Sequence, residues 1–231
     1  ERKSREKKKK KRFSEEEQRQ HTIEWTTYYR RNLHVFVEEY LGIKLKFFQR
    51  CMLYLMGRYR VIVFIMSRGA GKTFVTGCYA ISTALLYPNS EIAIASLTLT
   101  QASLIIKDKI DKELCGDLAL SPILKYLKEQ GYLEFKYDKD RAECKLKNGS
   151  KIFSIVCDES GRGARATCVI IDEARLVKKK SVDSIMIPML RPRVFPARLN
   201  PQYSDYFEEP QQIYISSAKT KDNWLYRFMI K

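Results

Sequence analysis

Two short segments of the 231-residue sequence combine residue types that could bind and cleave a phosphoanhydride. The first, SRGAGKT, runs from Ser67 to Thr73. Its centre consists of three small residues, Gly69, Ala70 and Gly71. Backbone N–H groups can close around phosphate oxygens there, and a helix that follows would direct its positive end at the same charge. Lys72 would then contact the β and γ phosphates of ATP, and the Thr73 hydroxyl would bind Mg²⁺.

The second segment, VIIDEA, lies about one hundred residues downstream and ends in Asp172, Glu173 and Ala174. Two adjacent carboxylates at the end of an apolar strand are unfavourable for packing, because a buried charge without a partner is costly. They suit a site that holds a cation. Asp172 is predicted to hold Mg²⁺ through water, and Glu173 to activate the water that attacks the γ-phosphate.

The elements around both segments predict a parallel α/β sheet. The run VIVFIM, residues 61–66, is typical of a buried parallel strand, and a helix is predicted from Lys72 to Leu86. Further strands are predicted at 91–95, 168–172 and 213–216, and further helices at 15–40, 45–57 and 101–114. Residues 132–157 break the alternation and predict an antiparallel hairpin with Asn148-Gly149 at a turn. We therefore expect a mostly parallel sheet, helices on both faces and a hairpin addition.

Composition and charge limit the class of protein. The sequence is 45% hydrophobic, and its longest apolar run is far shorter than the roughly 20 residues of a membrane-spanning helix, so we expect a soluble protein without a membrane partner. The six cysteines form no CxxC pair, which makes zinc improbable. The net charge is +16, of which the basic stretch 1–12 holds +7. The remaining positive charge predicts contact with a polyanion such as DNA.

The motifs resemble those of the ATPase domain of the large terminase subunit, the DNA-packaging motor of tailed bacteriophages. The phosphate loop carries an arginine, Arg68, and has Met66 where the general GxxxxGK[ST] pattern has its first glycine, as is common in that family. The segments FFQR, GRGARATCVIIDEA and YISSA resemble its adenine-contacting, Walker B and coupling segments, in the same order. The resemblance covers about residues 45–218.

Several residue roles are implied by the resemblance. Gln49 would read adenine, Ser216 or Ser217 would sense the γ-phosphate, and Arg68 would contact that phosphate in its own site. Arg162 or Arg165 would project into the site of a neighbouring subunit. The family fold is a P-loop NTPase of the additional-strand, catalytic-glutamate type.

The resemblance also implies partners and a location. These are double-stranded DNA, further copies of the chain in a homo-oligomeric ring, the portal protein and the small terminase subunit, in the cytoplasm of an infected bacterial host. The predicted organisation is a basic disordered arm at 1–14, an ATPase domain at 15–218 and the start of a lid or linker at 219–231, with no nuclease residues assignable.

Three alternatives remain beside this interpretation. A GTPase would use Asp158 to Gly161 as DxxG and Ser217-Ala218-Lys219 as a guanine loop, but no NKxD lies between them to select guanine. A helicase or restriction-type translocase would share both motifs and the positive charge. A nucleic-acid-binding module with an inert nucleotide site would be expected to have lost at least one of the four residues Lys72, Thr73, Asp172 and Glu173.

Overall fold

The computed structural model describes residues 14–193, 209–218 and 223–230. Residues 1–13 of the predicted basic arm, most of the proline-rich loop predicted from Pro192 to Pro210, and residues 219–222 and 231 of the predicted lid segment lie outside the described residues. Ser14, the last residue of the predicted arm, caps the first helix: its side chain accepts a hydrogen bond from the Glu17 N–H, and the Glu17 side chain bonds back to Ser14.

A seven-stranded sheet forms the centre of the described structure. Its strands are β1 (Val61–Met66), β2 (Glu91–Ser96), β3 (Leu133–Asp138), β4 (Arg141–Leu146), β5 (Lys151–Val156), β6 (Cys168–Ile171) and β7 (Gln211–Ser217). They lie in the order β1-β7-β6-β2-β5-β4-β3. The first five in that order pair in parallel, and β4 and β3 add antiparallel. The predicted mostly parallel α/β sheet is therefore confirmed.

The predicted hairpin addition is a three-stranded extension in which β5 belongs to both parts of the sheet. Its parallel edge pairs with β2, with Glu91 opposite Lys151, and its antiparallel edge pairs with β4, with Glu143 opposite Phe153. The predicted turn at Asn148-Gly149 separates β4 from β5, and Gly149 has a left-handed φ of 83° that suits glycine.

The prediction that residues 61–66 form a buried strand is wrong in one respect. The bounds and the parallel pairing of β1 agree with it, but among the described residues β1 pairs only with β7 and is an edge strand. Val61 and Ile65 are consequently 48% and 36% exposed. An apolar run indicates a strand but carries no information on which neighbours that strand finds.

The helices between Ser14 and Gln130 cover one face of the sheet. They are α1 (Glu15–Arg31), α2 (Leu33–Val35), α3 (Phe47–Met56), α4 (Lys72–Leu86), α5 (Leu99–Leu104) and α6 (Pro122–Glu129), and α2 and α5 continue as π-helical segments Phe36–Tyr40 and Ile105–Leu114. The single helix predicted for 15–40 is interrupted at Asn32, whose φ of −131° and ψ of 60° are not helical. Tyr79, Ile94 and Ile170 lie in the apolar core beneath this layer.

Shorter helices cover the other face, beside β6 and β7. They are a 3₁₀ turn Ala174–Leu176, α7 (Lys179–Ser181), which continues as the π-helical segment Val182–Met186, and α8 (Trp224–Met229). A second apolar cluster, which includes Val169, Met186 and Tyr214, lies between these helices and the sheet. The prediction of helices on both faces is thus confirmed. Within the described part of the chain, no helix is long and apolar enough to cross a membrane.

Candidate nucleotide-binding site

The loop predicted to bind phosphate connects the carboxyl end of β1 to the first residue of α4. Gly69 and Gly71 both adopt left-handed φ angles, 75° and 74°, which a side chain would make unfavourable. Gly71 is the N-cap of α4, so the loop leads directly into that helix, which begins at Lys72. Backbone N–H groups at a helix N-terminus attract anions, so the loop has the local geometry of a phosphate site.

Lys72 is folded back across the loop. Its Nζ donates a 2.8 Å hydrogen bond to the carbonyl oxygen of Ser67, and the residue is only 8% exposed. This bond uses one of the three donors of the ammonium group and keeps the group against the loop. The same group is close enough to Asp172 to favour its ionised form, because it lowers the pKa of that carboxyl. Lys72 therefore links the phosphate loop electrostatically to the predicted metal carboxylate.

Gln49 lies against the phosphate loop, as a nucleotide-contacting residue must. It is 7% exposed, and a Cβ added to Gly71 would lie 3.0 Å from its Nε2 atom. Its amide oxygen, however, accepts a 2.8 Å hydrogen bond from the N–H of Lys46 at the start of α3. A cavity of about 450 Å³ adjoins the loop here, lined partly by Lys46 and Phe48. The adenine-reading role of Gln49 stays a prediction, with its Nε2 amide group as the donor.

Asp172 follows the last residue of β6, and its backbone N–H continues the ladder to the Ala95 carbonyl at 2.8 Å. Burial raises the pKa of its carboxyl group, and the neighbouring Glu173 raises it further. A hydrogen bond from the Glu173 backbone and, to a smaller extent, the charge of Lys72 lower this pKa without cancelling the rise. The site therefore holds a carboxylate whose charge the surrounding protein does not fully compensate, which is the environment that favours a bound cation.

Glu173 is connected to the end of β7. Its backbone is left-handed, with φ 46° and ψ 44°, a conformation that is uncommon outside glycine and often found at functional sites. Its Oε2 atom accepts hydrogen bonds from the Oγ and the backbone N–H of Ser217, at 2.8 Å and 3.3 Å. In the sheet Ser217 lies opposite Met66, the residue before the phosphate loop. The predicted water-activating and phosphate-sensing residues are therefore in direct contact.

The two predicted sensing serines differ in their surroundings. Ser216 is fully buried, and its Oγ has no hydrogen-bond partner among the described residues. Ser217 is bonded to Glu173 and also accepts a hydrogen bond from Arg175. Sequence reasoning did not single out Arg175. Its only signal was a basic residue close to two carboxylates, and that signal does not indicate which partner the side chain would find.

The predicted arginines occupy different parts of the molecule. Arg68 is exposed on the phosphate loop itself. Arg162 and Arg165 belong to the connection from β5 to β6, and Arg165 lies just before Cys168, the first residue of β6. Arg162 is 62% exposed in its side chain, forms an ion pair with Glu159, and lines a groove of about 830 Å³ beside β4 and β5. Arg68 thus belongs to the phosphate loop, whereas the hydrogen bonds and ion pairs of the Arg162 and Arg165 side chains among the described residues are made with Glu159 and Ala164.

The residues present fit a magnesium ion that is held partly by phosphate. In the described ranges no group of three or more His, Cys, Asp or Glu residues could hold a metal. Magnesium bound with nucleotide usually takes only one or two protein ligands and completes its shell with water and phosphate oxygens. The Thr73 hydroxyl in the first turn of α4 and the incompletely compensated Asp172 match that limited donor set.

Comparison with known proteins identifies the fold through structure rather than sequence. No protein-family model matches the chain, and no curated protein is significantly similar to it. The large terminase ATPase domain of Thermus phage P74-26 is similar with a TM-score of 0.56 and 21% identity, over 83% of this chain and 71% of that one. A mutant of that domain gives a TM-score of 0.56 at 19% identity, over 83% and 72%.

A large terminase from a thermophilic bacteriophage is similar with a TM-score of 0.52 and 14% identity, over 80% of this chain and 42% of that chain. These solved structures share the α/β architecture described above and span most of the present chain. The chain therefore has the P-loop NTPase fold seen in the ATPase domains of phage large terminases.

Proposed function

We propose that this chain is a magnesium-dependent ATP hydrolase and the motor domain of a phage DNA-packaging machine. The observation that carries the proposal is the convergence of three strand ends. The phosphate loop follows β1, the carboxylates follow β6, and Ser217 of β7, which lies between them, is hydrogen-bonded to Glu173. In open α/β sheets, ligands bind outside the carboxyl ends of the strands, which is where these groups lie.

The residues divide the chemistry between them. The loop from Ser67 to Gly71 and Lys72 would bind the phosphates of ATP, with Arg68 contacting the γ-phosphate. Thr73 and Asp172 would hold Mg²⁺, which when bound neutralises charge on the transferred phosphoryl group. Glu173 would orient and polarise the attacking water, and Ser217 would register the loss of the γ-phosphate through its bond to Glu173.

The motor role adds partners to this hydrolase. The net charge of +16 supports contact with the backbone of double-stranded DNA. The similar solved structures are large terminase domains, which supports a homo-oligomeric ring that meets a portal protein and a small terminase subunit in the cytoplasm of an infected bacterium. Arg162 would act on the site of the adjacent subunit, because it is exposed and its contacts within its own chain are with Glu159 and the groove beside β4 and β5.

Phosphate release from ATP tests the proposal directly. The protein with Mg²⁺ and duplex DNA should hydrolyse ATP, whereas Glu173→Gln should lose about 100-fold or more in kcat while it still binds ATP. Lys72→Ala should lose ATP binding in addition to hydrolysis. The matched control is Glu129→Gln, which changes an exposed carboxylate at the end of α6 and should leave turnover unchanged.

Two results would favour a different function. Undetectable ATP hydrolysis in the assembled complex, with Glu173→Gln behaving like the unchanged protein, would mean that the site is inert and that the chain is a nucleic-acid-binding module. The second candidate function is a helicase or restriction-type translocase, which the shared sheet topology also allows. ATP-dependent separation of short duplexes by the pure protein would favour that function over packaging.

A further inference from the structure

Arg175 lies next to Ser217, although neither the phosphate loop nor the metal site requires it. Its Nε and one terminal guanidinium nitrogen donate to the Ser217 Oγ at 3.4 Å and 3.3 Å. Its Nε also lies 3.6 Å from Glu173 Oε2, and its side chain is only 11% exposed. A nearly buried arginine requires partners, and Ser217 and Glu173 are the partners that these contacts provide.

The contacts form a directional chain. The guanidinium group donates to the Ser217 Oγ, and that hydroxyl in turn donates to Glu173 Oε2 at 2.8 Å. Hydrogen bonds in series polarise one another, so the positive charge of Arg175 strengthens the donor that Ser217 offers to Glu173. A lysine would supply charge but not the planar pair of donors that reaches the same oxygen.

The turn that carries Arg175 is itself fixed. Ala174 is fully buried, and the Trp224 indole N–H of α8 donates a 2.7 Å hydrogen bond to the carbonyl oxygen of Val177. The left-handed backbone of Glu173 directs the chain from β6 into this turn. The guanidinium group is therefore held from both sides of the turn against the end of β7.

All of these contacts converge on one oxygen of Glu173. Ser217 Oγ, the Ser217 N–H and Arg175 approach Oε2, and no hydrogen bond to Oε1 is made by the described residues. We propose that Arg175 is a positioning residue that, through Ser217, fixes one carboxylate oxygen of Glu173 and leaves the other to bind the attacking water. This inference rests on the proposed function, in which Glu173 activates that water.

Steady-state kinetics of single and double variants test the inference. Arg175→Ala should lower kcat for ATP hydrolysis about 10- to 100-fold, because a small misplacement of a catalytic group is costly. The KM for ATP should stay within about twofold, since no contact of Arg175 involves the phosphate loop. Ser217→Ala should behave similarly, and the double variant should lose no more than the larger single loss, because the two residues act in one chain.

Several results would overturn the inference. Arg175→Ala with unchanged kcat would do so, as would losses of Arg175→Ala and Ser217→Ala that multiply in the double variant. The control Arg191→Ala removes a half-exposed arginine paired with Glu91 and should leave kcat unchanged. If Arg175→Ala does not fold, Arg175→Lys takes its place: we expect a several-fold lower kcat, and full activity would refute the positioning role.

The outcome can be separated from that of the proposed function. Hydrolysis by the unchanged protein that is sensitive to Glu173→Gln but insensitive to Arg175→Ala would overturn this inference alone. Absence of hydrolysis by the unchanged protein with Mg²⁺ and DNA would overturn both. Binding of a fluorescent ATP analogue should be the same for Arg175→Ala and the unchanged protein, and loss of that binding would contradict a role limited to Glu173.

Discussion

At the residue scale, Asp172 has a charge that the fold destabilises in the absence of metal. Burial and Glu173 raise the pKa of its carboxyl group above the ordinary value. The folded protein therefore binds a proton at this position more readily than the unfolded chain does, so stability falls as the pH rises through the range between the two pKa values. A bound cation would remove this cost.

Asp172→Asn should consequently stabilise the metal-free protein at neutral pH while it abolishes hydrolysis. In EDTA at pH 7 we expect a higher melting temperature, by about 2–4 °C for each kcal/mol gained in a domain of this size. The gain should shrink as the pH falls through the raised pKa of Asp172, because the unchanged carboxyl group then becomes neutral in the folded protein. Thermal melts at several pH values provide the measurement.

The matched control is Asp117→Asn, which changes an exposed carboxylate and should leave the melting temperature unchanged. With saturating Mg²⁺ and ATP, the unchanged protein should melt at a higher temperature than Asp172→Asn, because ligand binding stabilises only the protein that retains the predicted metal ligand. A lower melting temperature for Asp172→Asn in EDTA would contradict this account of the site.

Sequence patterns indicated the candidate site residues, whose roles stay predictions, but not their contacts. Asp172 and Glu173 became candidates because adjacent carboxylates after an apolar run need a cation or a partner. The bond between Glu173 and Ser217 and the position of Arg175 depend on a left-handed residue and on strand order. Neither leaves a periodic signal in the sequence, so Arg175 could not be identified in advance.

At the scale of elements, the connection after the π-helical segment Ile105–Leu114 is tightly packed against its own end. A Cβ added to Gly116 would overlap the backbone carbonyl oxygen of Lys112, which accepts a hydrogen bond from the Gly116 N–H. Gly131, which follows α6, has a left-handed φ of 64° but nothing within 4 Å of an added Cβ. A substitution at Gly116 therefore tests steric overlap, and a substitution at Gly131 tests backbone strain.

Gly116→Ala should destabilise the protein more than Gly131→Ala. We expect about 1–3 kcal/mol for the overlap at Gly116, because a backbone carbonyl cannot move aside as a side chain can. Gly131→Ala should cost about 1 kcal/mol, the ordinary penalty of a left-handed alanine. Urea unfolding followed by circular dichroism measures both free energies. A larger loss for Gly131→Ala would show that the backbone near Gly116 relaxes.

The elements themselves were largely predictable because apolar periodicity determines them. The bounds of β1 and α4 agree with the prediction, and those of β2 and β7 extend it by one to three residues. The exposed face of β1 and the break at Asn32 were not predicted. Both depend on which elements pack together, and that information is spread over the whole chain rather than contained in a local pattern.

At the scale of the whole molecule, Arg162 is a candidate for contact between copies of the chain. Its side chain is 62% exposed, its ion pair is with Glu159, and it lines the groove beside β4 and β5. Among the described residues, these contacts do not include the phosphate loop, Asp172 or Glu173. We therefore expect any contribution of Arg162 to hydrolysis to be made in the site of another copy of the chain.

Arg162→Ala should therefore reduce hydrolysis only where copies of the chain associate. At concentrations that favour assembly we expect a loss of about 1000-fold or more, the scale of an arginine that acts in trans, and no loss in the dilute monomer. Turnover measured over a dilution series tests this, with Arg165→Ala assayed in parallel. An equal loss at every concentration would exclude action in trans, and a loss confined to Arg165→Ala would assign the role to Arg165.

The hydrogen bond from Trp224 to Val177 also has a practical consequence. The chain contains only two tryptophans, Trp25 and Trp224. Trp25 belongs to α1, whereas the Trp224 indole N–H is bonded within two residues of Arg175. Indole emission depends on the polarity and hydrogen bonding of its surroundings, so a chain with Phe in place of Trp25 would carry a single tryptophan, bonded to the turn that holds Arg175. Its spectrum would report movement of that turn in real time, without any attached dye.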